Sequence, residues 1–474
     1  MTPFLDELKW RGLFHQCTDE AGLSRWLADP SGHPRRAYVG FDPTADSLTI
    51  GNLVPIMMLR HFQLAGHQPV VVVGGGTGLI GDPSGKSAER QLMTAEQVAA
   101  NVEGQKRVYG RLLDFGGEGG QAGRLTHRGL LLNNLDWLGK LGYLEVLRDI
   151  GKHFSVNAMI QKDSVRERLH ARDQGISYTE FSYMVLQAYD FLHLWRSEGV
   201  LLQMGGSDQW GNIVAGCDLI RRELTHHNMD QIEAEGLATL SATDERREAG
   251  RAQAEALRVK RVPPYEGYGI TAPLVTKTDG GKFGKSESGA VWLTADRTSP
   301  YAYYQFWLNA ADADVPRYLR LFTLLPREQI DALSAAHEKD PAAREAHRTL
   351  AREATTLLHG PTEAAHAERA ARALFTGEIA GLPEAVLEEA LGSVPASGHA
   401  RAGLDGGIPL VDLLPQTTLA KSKSEARELL GSGSITVNGA KAAPDHRLTA
   451  ADLLHGRLIA LRRGKKTWHL TRWS

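Results

Sequence analysis

The sequence of 474 residues is short of cysteine, of long apolar runs and of net charge. Cys17 and Cys217 are its only cysteines and no Cys-x-x-Cys pair occurs, so neither a disulfide framework nor a thiolate zinc site is supported. No apolar run approaches the roughly 18 residues that a membrane-spanning helix needs, and Met1–Gln16 shows no signal-peptide pattern. A cytoplasmic protein without a membrane partner is therefore expected. Its 54 basic side chains nearly balance 56 acidic ones, for a net charge of −2. That balance excludes a generally basic coat for nucleic acid but leaves room for a local patch. A chain of this length should hold roughly two to four domains and bury a large core.

What is present is organised around Tyr38–Lys86. Arg36–Phe41 is a short β-prone run containing Gly40, Asp42–Thr49 a loop, and Ile50–Leu64 carries apolar residues at helical spacing. Val70–Val73 is a continuous apolar run, the pattern of a buried parallel strand, and a glycine-rich loop follows from Gly74. Two parallel strands joined by a helix, with a polar loop at the first strand's carboxyl end, are the usual setting for a nucleotide. Gly76–Gly81 formally satisfies G-x-G-x-x-G, but Asp82-Pro83-Ser84-Gly85 continues it as a turn where that fingerprint should open a helix. Gly85-Lys86-Ser87 ends like a P-loop, yet Ile80 stands where that motif requires glycine.

Further along, Glu180–Leu194 reads as a helix with Tyr183, Gln187 and Asp190 on one face. On pattern alone a polar pocket and a satisfied polar core are equally good readings. Lys282-Phe283-Gly284-Lys285-Ser286 is either a solvated turn or a loop whose two lysines grip a polyphosphate as point charges.

Phe41-Asp42-Pro43-Thr44-Ala45-Asp46-Ser47-Leu48-Thr49-Ile50-Gly51-Asn52 resembles the first signature of class I aminoacyl-tRNA synthetases, and Lys282–Ser286 the second. With Phe181–Asp190 and Gly205–Asn212 between them, the four blocks resemble the bacterial tyrosyl-tRNA synthetase family over nearly the whole chain. The resemblance implies an α/β, Rossmann-like parallel-sheet catalytic domain over 1–297, with a surface insertion at about 223–267. An α-helical anticodon-binding region (298–381), a linker (382–407) and a small C-terminal S4-like α+β RNA-binding domain (408–474) would follow. It implies activation of L-tyrosine by ATP to tyrosyl-adenylate and pyrophosphate, then transfer to the 3′ end of tRNA(Tyr). ATP would be a substrate accompanied by Mg2+, with no dedicated protein metal site, and the protein would be a homodimer.

Residue by residue, the resemblance places Tyr38 and Asp190 at the substrate's phenolic hydroxyl and Asp82, Tyr183, Gln187 and Gln209 at its backbone groups. Gly40, Asp42, Gly51, Asn52, Gly206, Asp208 and Lys285 would shape the ATP site. Thr44, Thr49, Lys282, Lys285 and Ser286 would stabilise charge moving onto the pyrophosphate. Two positions depart from the family: Thr49 and Asn52 stand where the signature has histidines. A threonine hydroxyl can donate one hydrogen bond to a phosphate but carries no charge.

After Ser299-Pro300 the pattern is helical over Tyr301–Leu308, Val315–Leu324, Arg327–His337, Ala342–Leu358 and Thr362–Phe375. Leu382–Asp405, rich in small residues, reads as a linker. Beyond Ile408, Ser422–Leu430 reads as a helix and Asn438-Gly439 as a hairpin turn. Lys421, Lys423, Arg427, Arg462, Arg463, Lys465 and Lys466 belong to a cationic excess there that points to RNA phosphates. Two other functions compete: a non-catalytic RNA-binding paralogue with a splicing or regulatory role, marked by Thr49, and a nicotinamide-dependent oxidoreductase using Gly76–Gly81.

Overall fold

The computed structural model describes residues 3–29, 34–82, 92–116, 127–162, 165–166, 176–240, 243–259, 266–281, 283–286, 289–392, 394–464 and 467–474. The chain divides into two compact units, Met1–Thr294 with Pro316–Asp331, and Ala295–Val315 with Ala332–Ser474.

The first unit is built on six strands: β1 (Gln16–Cys17), β2 (Arg36–Phe41), β3 (Gln68–Val73), β4 (Leu130–Asn133), β5 (Leu202–Gly206) and β6 (Tyr268–Ala272). Their order is β1-β6-β5-β2-β3-β4, parallel throughout except for β1 against β6. Val70, Val71, Val72 and Val73 are buried, as a strand covered on both faces requires. The chain runs from β2 through β3 to β4 on one side, then returns to place β5 on the other. That reversal opens a crevice at the carboxyl ends of β2 and β5.

The elements around the crevice follow from local chemistry. A single helical turn, Ile50–Asn52, leads into the helix Leu53–Leu64. The helix Tyr178–Glu198 starts where the Ser177 side chain accepts from Glu180 N, and ends at Gly199 with φ 62°. After β4 the chain forms a short helix, Leu135–Leu138. The expected surface excursion is helical: Trp210–Leu240 continues into it, and Asp244–Val259 packs back along that helix. At Gly250 a Cβ would lie 2.5 Å from Ala238 N, so glycine permits that approach. Buried Arg11 ties down the returning segment, donating to the carbonyls of Arg320, Thr323 and Leu325 at 2.9, 2.8 and 2.9 Å.

In the second unit the helices run Pro300–Leu308, Arg327–Lys339 (from Ala332 on), Glu345–His359 and Pro361–Thr376. The helix expected over Val315–Leu324 spans Val315–Phe322 and passes into the first unit at Pro316. The segment read as a linker is folded. It forms the helix Glu384–Leu391 and a strand, Ala396–His399, parallel to Thr467–Trp473 at the edge of a five-stranded sheet. Leu382, Leu387 and Leu391 share a core with Leu458, Ala460 and Leu470, so composition misled here where burial decides. The expected hairpin joins Ile435–Val437 to Ala440–Lys441, with Asn438 at φ 49° and Gly439 at φ 91° as its turn chemistry demands.

Candidate active site

The crevice is a cavity of about 410 Å³. Tyr38, Asp82, Tyr183, Gln187, Asp190 and Gln209, the six residues expected at the amino acid, all line it. So do Gly40, Asp42, Gly51, Asn52, Gly206 and Asp208 from the expected nucleotide set, and Thr44 and Thr49 from the catalytic set.

At one end sits Asp190, 4% exposed. Its Oδ2 accepts from Asn134 Nδ2 at 2.8 Å and its Oδ1 from Trp137 Nε1 at 2.7 Å. Burial pushes its carboxyl up to about 7; the two donors pull the other way, and the Asp42 charge adds to the rise. Tyr38, 1% exposed, packs its ring on Phe191 at 5.4 Å. Its hydroxyl is buried with no hydrogen-bond partner among the described residues. Burial and the neighbouring Asp190 charge hold that phenol neutral, far above its ordinary range.

A chain of hydrogen bonds crosses the floor of the cavity. Asn134 Nδ2 also donates to Thr77 Oγ1 at 2.9 Å, and Thr77 Oγ1 donates to Asp42 Oδ1 at 2.8 Å. Tyr183 Oη donates to the other Asp42 oxygen at 2.9 Å. The Gly76 N–H donates to Asn134 Oδ1 at 2.7 Å, which fixes the orientation of that amide. Glycine is required at 74, where a Cβ would come within 2.4 Å of both Asp42 Oδ1 and Thr77 Oγ1.

The other end is acidic and amide-rich. Gln209 Nε2 donates to Asp82 Oδ2 at 2.7 Å, and Asn212 Nδ2 bridges Gln187 Oε1 at 3.0 Å and Gln209 Oε1 at 3.3 Å. Burial raises the Asp208 carboxyl above its ordinary value. Asp42, Asp82, Asp190 and Asp208 make this lining attractive to a cation and unfavourable for a bare polyphosphate.

Thr49 and Asn52 are joined. The Thr49 N–H and Oγ1 both donate to Asn52 Oδ1, each at 3.0 Å. An N–H can only donate, so the oxygen of Asn52 faces Thr49 and its NH2 is the group left for a ligand. Thr49 pairs with Trp292 across an isolated bridge, while Ile50 N donates to Val291 O. Val291 N in turn donates to Gly284 O, and a Cβ on Gly284 would lie 2.6 Å from Ile50 Cγ2. The two sequence signatures thus meet. Phe283 lines the cavity and stacks on Phe322, centroids 5.3 Å apart. Lys282 lies outside the described residues, as do the side chains of Lys285 and Ser286. The backbone of those two pairs with Gly289–Ala290.

Of the expected RNA-binding residues, Lys421, Lys423 and Arg427 are exposed at the helix Lys423–Gly431, and Arg463 is exposed and paired with Glu425 at 2.9 Å. Lys465 and Lys466 lie outside the described residues. Arg462 is a correction. It is 8% exposed, stacks over Trp468 at 4.9 Å and donates to Leu374 O at 3.3 Å, so it closes a helix end instead of facing solvent.

Sequence reasoning missed Asn134, Trp137, Thr77 and Asn212 as site residues. The partners of Asn134, Trp137 and Thr77 lie far away in the chain, and Asn212 joins its neighbour Gln209 to Gln187, 25 positions back.

The family described as tRNA synthetases class I (W and Y) matches residues 30–376, and the Tyrosine–tRNA ligase SYY-like C-terminal domain matches 387–471. The chain is 45% identical to a tyrosine–tRNA ligase of Opitutus terrae, covering 98% of both chains. It is 46% identical to that of Geobacillus kaustophilus, covering 99% of both. The solved C-terminally truncated mitochondrial tyrosyl-tRNA synthetase of Aspergillus nidulans is 29% identical with a TM-score of 0.63, over 79% of this chain and 95% of that one.

Proposed function

The chain belongs to the class I tRNA synthetases, within the tyrosine–tRNA ligases, and given that membership we propose how its cavity divides the work between amino acid and nucleotide. The enzyme activates L-tyrosine with ATP, then passes the tyrosyl group to tRNA.

The observation that carries the reading is the buried Tyr38 hydroxyl, without a hydrogen-bond partner among the described residues, beside the anchored Asp190 carboxylate. A phenol entering there donates to Asp190 and accepts from Tyr38. Phenylalanine would leave both groups unpaired, and discrimination of this kind by tyrosyl-tRNA synthetases is the general illustration of the rule. The ammonium group meets Asp82, Tyr183, Gln187 and Gln209, where the acidic lining favours a cation. The tyrosine carboxylate attacks the α-phosphate, an oxygen–phosphorus bond forms, and pyrophosphate leaves with the bonding pair. No protein nucleophile enters, so catalysis is positioning and charge stabilisation. Mg2+ enters with ATP as part of the substrate, and with Lys282 and Lys285 it offsets the acidic lining. Asn52 offers its NH2 to the nucleotide, and Gly40, Gly51 and Gly206 leave room for its backbone-close approach.

The exposed cations Lys421, Lys423, Arg427 and Arg463 serve an S4-like RNA-binding surface for tRNA(Tyr). Tyr143, Leu144, Leu147, Val156, Ile160 and Tyr178 are exposed apolar side chains within one stretch of the chain, which supports a homodimer through that surface.

Tyrosine-dependent exchange of pyrophosphate into ATP tests the reading, with phenylalanine and tryptophan as controls. Exchange with tyrosine alone is expected. Its absence in a protein that still binds tRNA would leave the non-catalytic paralogue standing.

A further inference from the structure

The second unit holds a cluster of ligating side chains that are not among the residues lining the cavity. Among the described residues, Asp312, His337 and His347 form a group that could hold a metal ion, each offering one donor atom within 4.8 Å of the others'. They come from three places in the chain. Asp312 opens the turn Asp312–Asp314, His337 lies in the last turn of the helix ending at Lys339, and His347 in the first turn of the helix Glu345–His359.

The two imidazoles are buried, at 6% and 0% exposure, with ring centroids 5.2 Å apart. The Asp312 side chain is 59% exposed, which leaves a way in from solvent. His337 Nε2 lies 2.9 Å from Asp312 O, and His347 Nε2 lies 3.2 Å from Ala310 O and 3.2 Å from Asp312 Oδ1. Carbonyl oxygens only accept, so in this arrangement each Nε2 carries the proton and each Nδ1 keeps a bare lone pair. Neither Nδ1 has a hydrogen-bond partner among the described residues. A buried acceptor left without a donor is unfavourable, and here two occur on adjacent rings. Imidazoles whose second nitrogen donates to a backbone carbonyl are also the usual form of metal-bound histidine.

We propose that Asp312, His337 and His347 form a site for a single divalent transition-metal ion, with zinc the fitting occupant. Two imidazoles and a carboxylate are a donor set that zinc accepts, with water completing the tetrahedron. Bonds of about 2.0–2.2 Å require the donor atoms to draw in by roughly an ångström, and the exposed Asp312 carboxylate can supply much of that by changing rotamer. Once bound, the ion fastens the Asp312–Asp314 turn to two helices that follow it, acting as a clip within this unit.

The test uses the full chain, stripped with chelator and titrated with Co2+. The visible d–d bands of tetrahedral cobalt should saturate at one equivalent and be displaced by Zn2+, and Zn2+ should raise the melting temperature of the stripped protein. Asp312→Ala, which alters an exposed side chain, should abolish the bands and the thermal shift while leaving pyrophosphate exchange unchanged. His347→Gln, which keeps most of the buried volume, should do the same. Absence of the bands overturns the proposal, as does a cobalt spectrum that persists undiminished in Asp312→Ala. Either result would leave the two histidines as hydrogen-bond partners of the Ala310 and Asp312 carbonyls alone.

Discussion

The hydroxyl of Thr49 donates to Asn52 Oδ1 at 3.0 Å, and the backbone N–H of Thr49 donates to the same oxygen. Two residues standing where the family signature has histidines therefore act as a pair. Thr49 is occupied in holding Asn52, whose NH2 is on the proposed reading the group offered to the nucleotide. Thr49→Val removes one of two bonds to that oxygen, so pyrophosphate exchange should fall by about 1 kcal/mol, roughly fivefold. Asn52→Ala should cost more, and the double variant should resemble Asn52→Ala alone, since coupled residues are not additive. Thr49→His should retain exchange because the backbone bond survives. Complete loss in that variant would show a site rebuilt around the hydroxyl.

Trp137→Phe deletes one of the two donors to buried Asp190. Removing a hydrogen bond to a charged group is expected to lower kcat/KM for tyrosine by about 2 kcal/mol, roughly 30-fold. Steady-state exchange kinetics at neutral pH measure it. An unchanged kcat/KM would mean that Asn134 alone suffices to hold the carboxylate.

Asp190 also sets a pH dependence. Its folded value of about 7 lies above the ordinary 3.8, so the folded state holds a proton that the unfolded chain has released. That contribution to stability is fully present below about pH 4 and is lost as pH rises through 7. Urea titrations of the ligand-free enzyme should show Asp190→Asn lacking this decline between pH 5 and about 7.5. Tyrosine binding, which calls on the carboxylate as acceptor, should weaken below about pH 7. A flat binding profile would argue against the ionised form as the acceptor.

Among the described residues, Arg11 is the one side chain bonded to the carbonyls of Arg320, Thr323 and Leu325. Arg11→Met should destabilise the protein by about 2–4 kcal/mol through those unpaired carbonyls. Glu7 keeps a second partner in Arg327, at 2.7 Å, which limits the loss. Denaturant midpoints at unchanged slope would confirm it, and a shift within error would refute it.

Much of this site is written in local pattern, and the remainder is not. Tyr183, Gln187 and Asp190 were legible because a helix repeats its faces, and Asn438-Gly439 because one turn type demands that pair. Nothing local marks Trp137 and Asn134, since the residue that gives them meaning is Asp190, more than fifty positions on. Ala396–His399 carries few residues that favour strands and is one because Thr467–Trp473 offers an edge. Arg462 looked like any cation in a basic tail. Its strand, Leu458–Arg463, is buried nearly throughout, and that burial turns the arginine inward.

The hydrogen bonds running from Tyr183 through Asp42, Thr77 and Asn134 to Asp190 make the pocket a ruler. On the proposed reading, the groups that would meet the ammonium and the phenol are set at one fixed separation by a single polar scaffold. A molecule bearing only one of those ends, or both at the wrong spacing, satisfies one mark and leaves the other in error. Selection for tyrosine is in this sense a measurement of length as well as of chemistry.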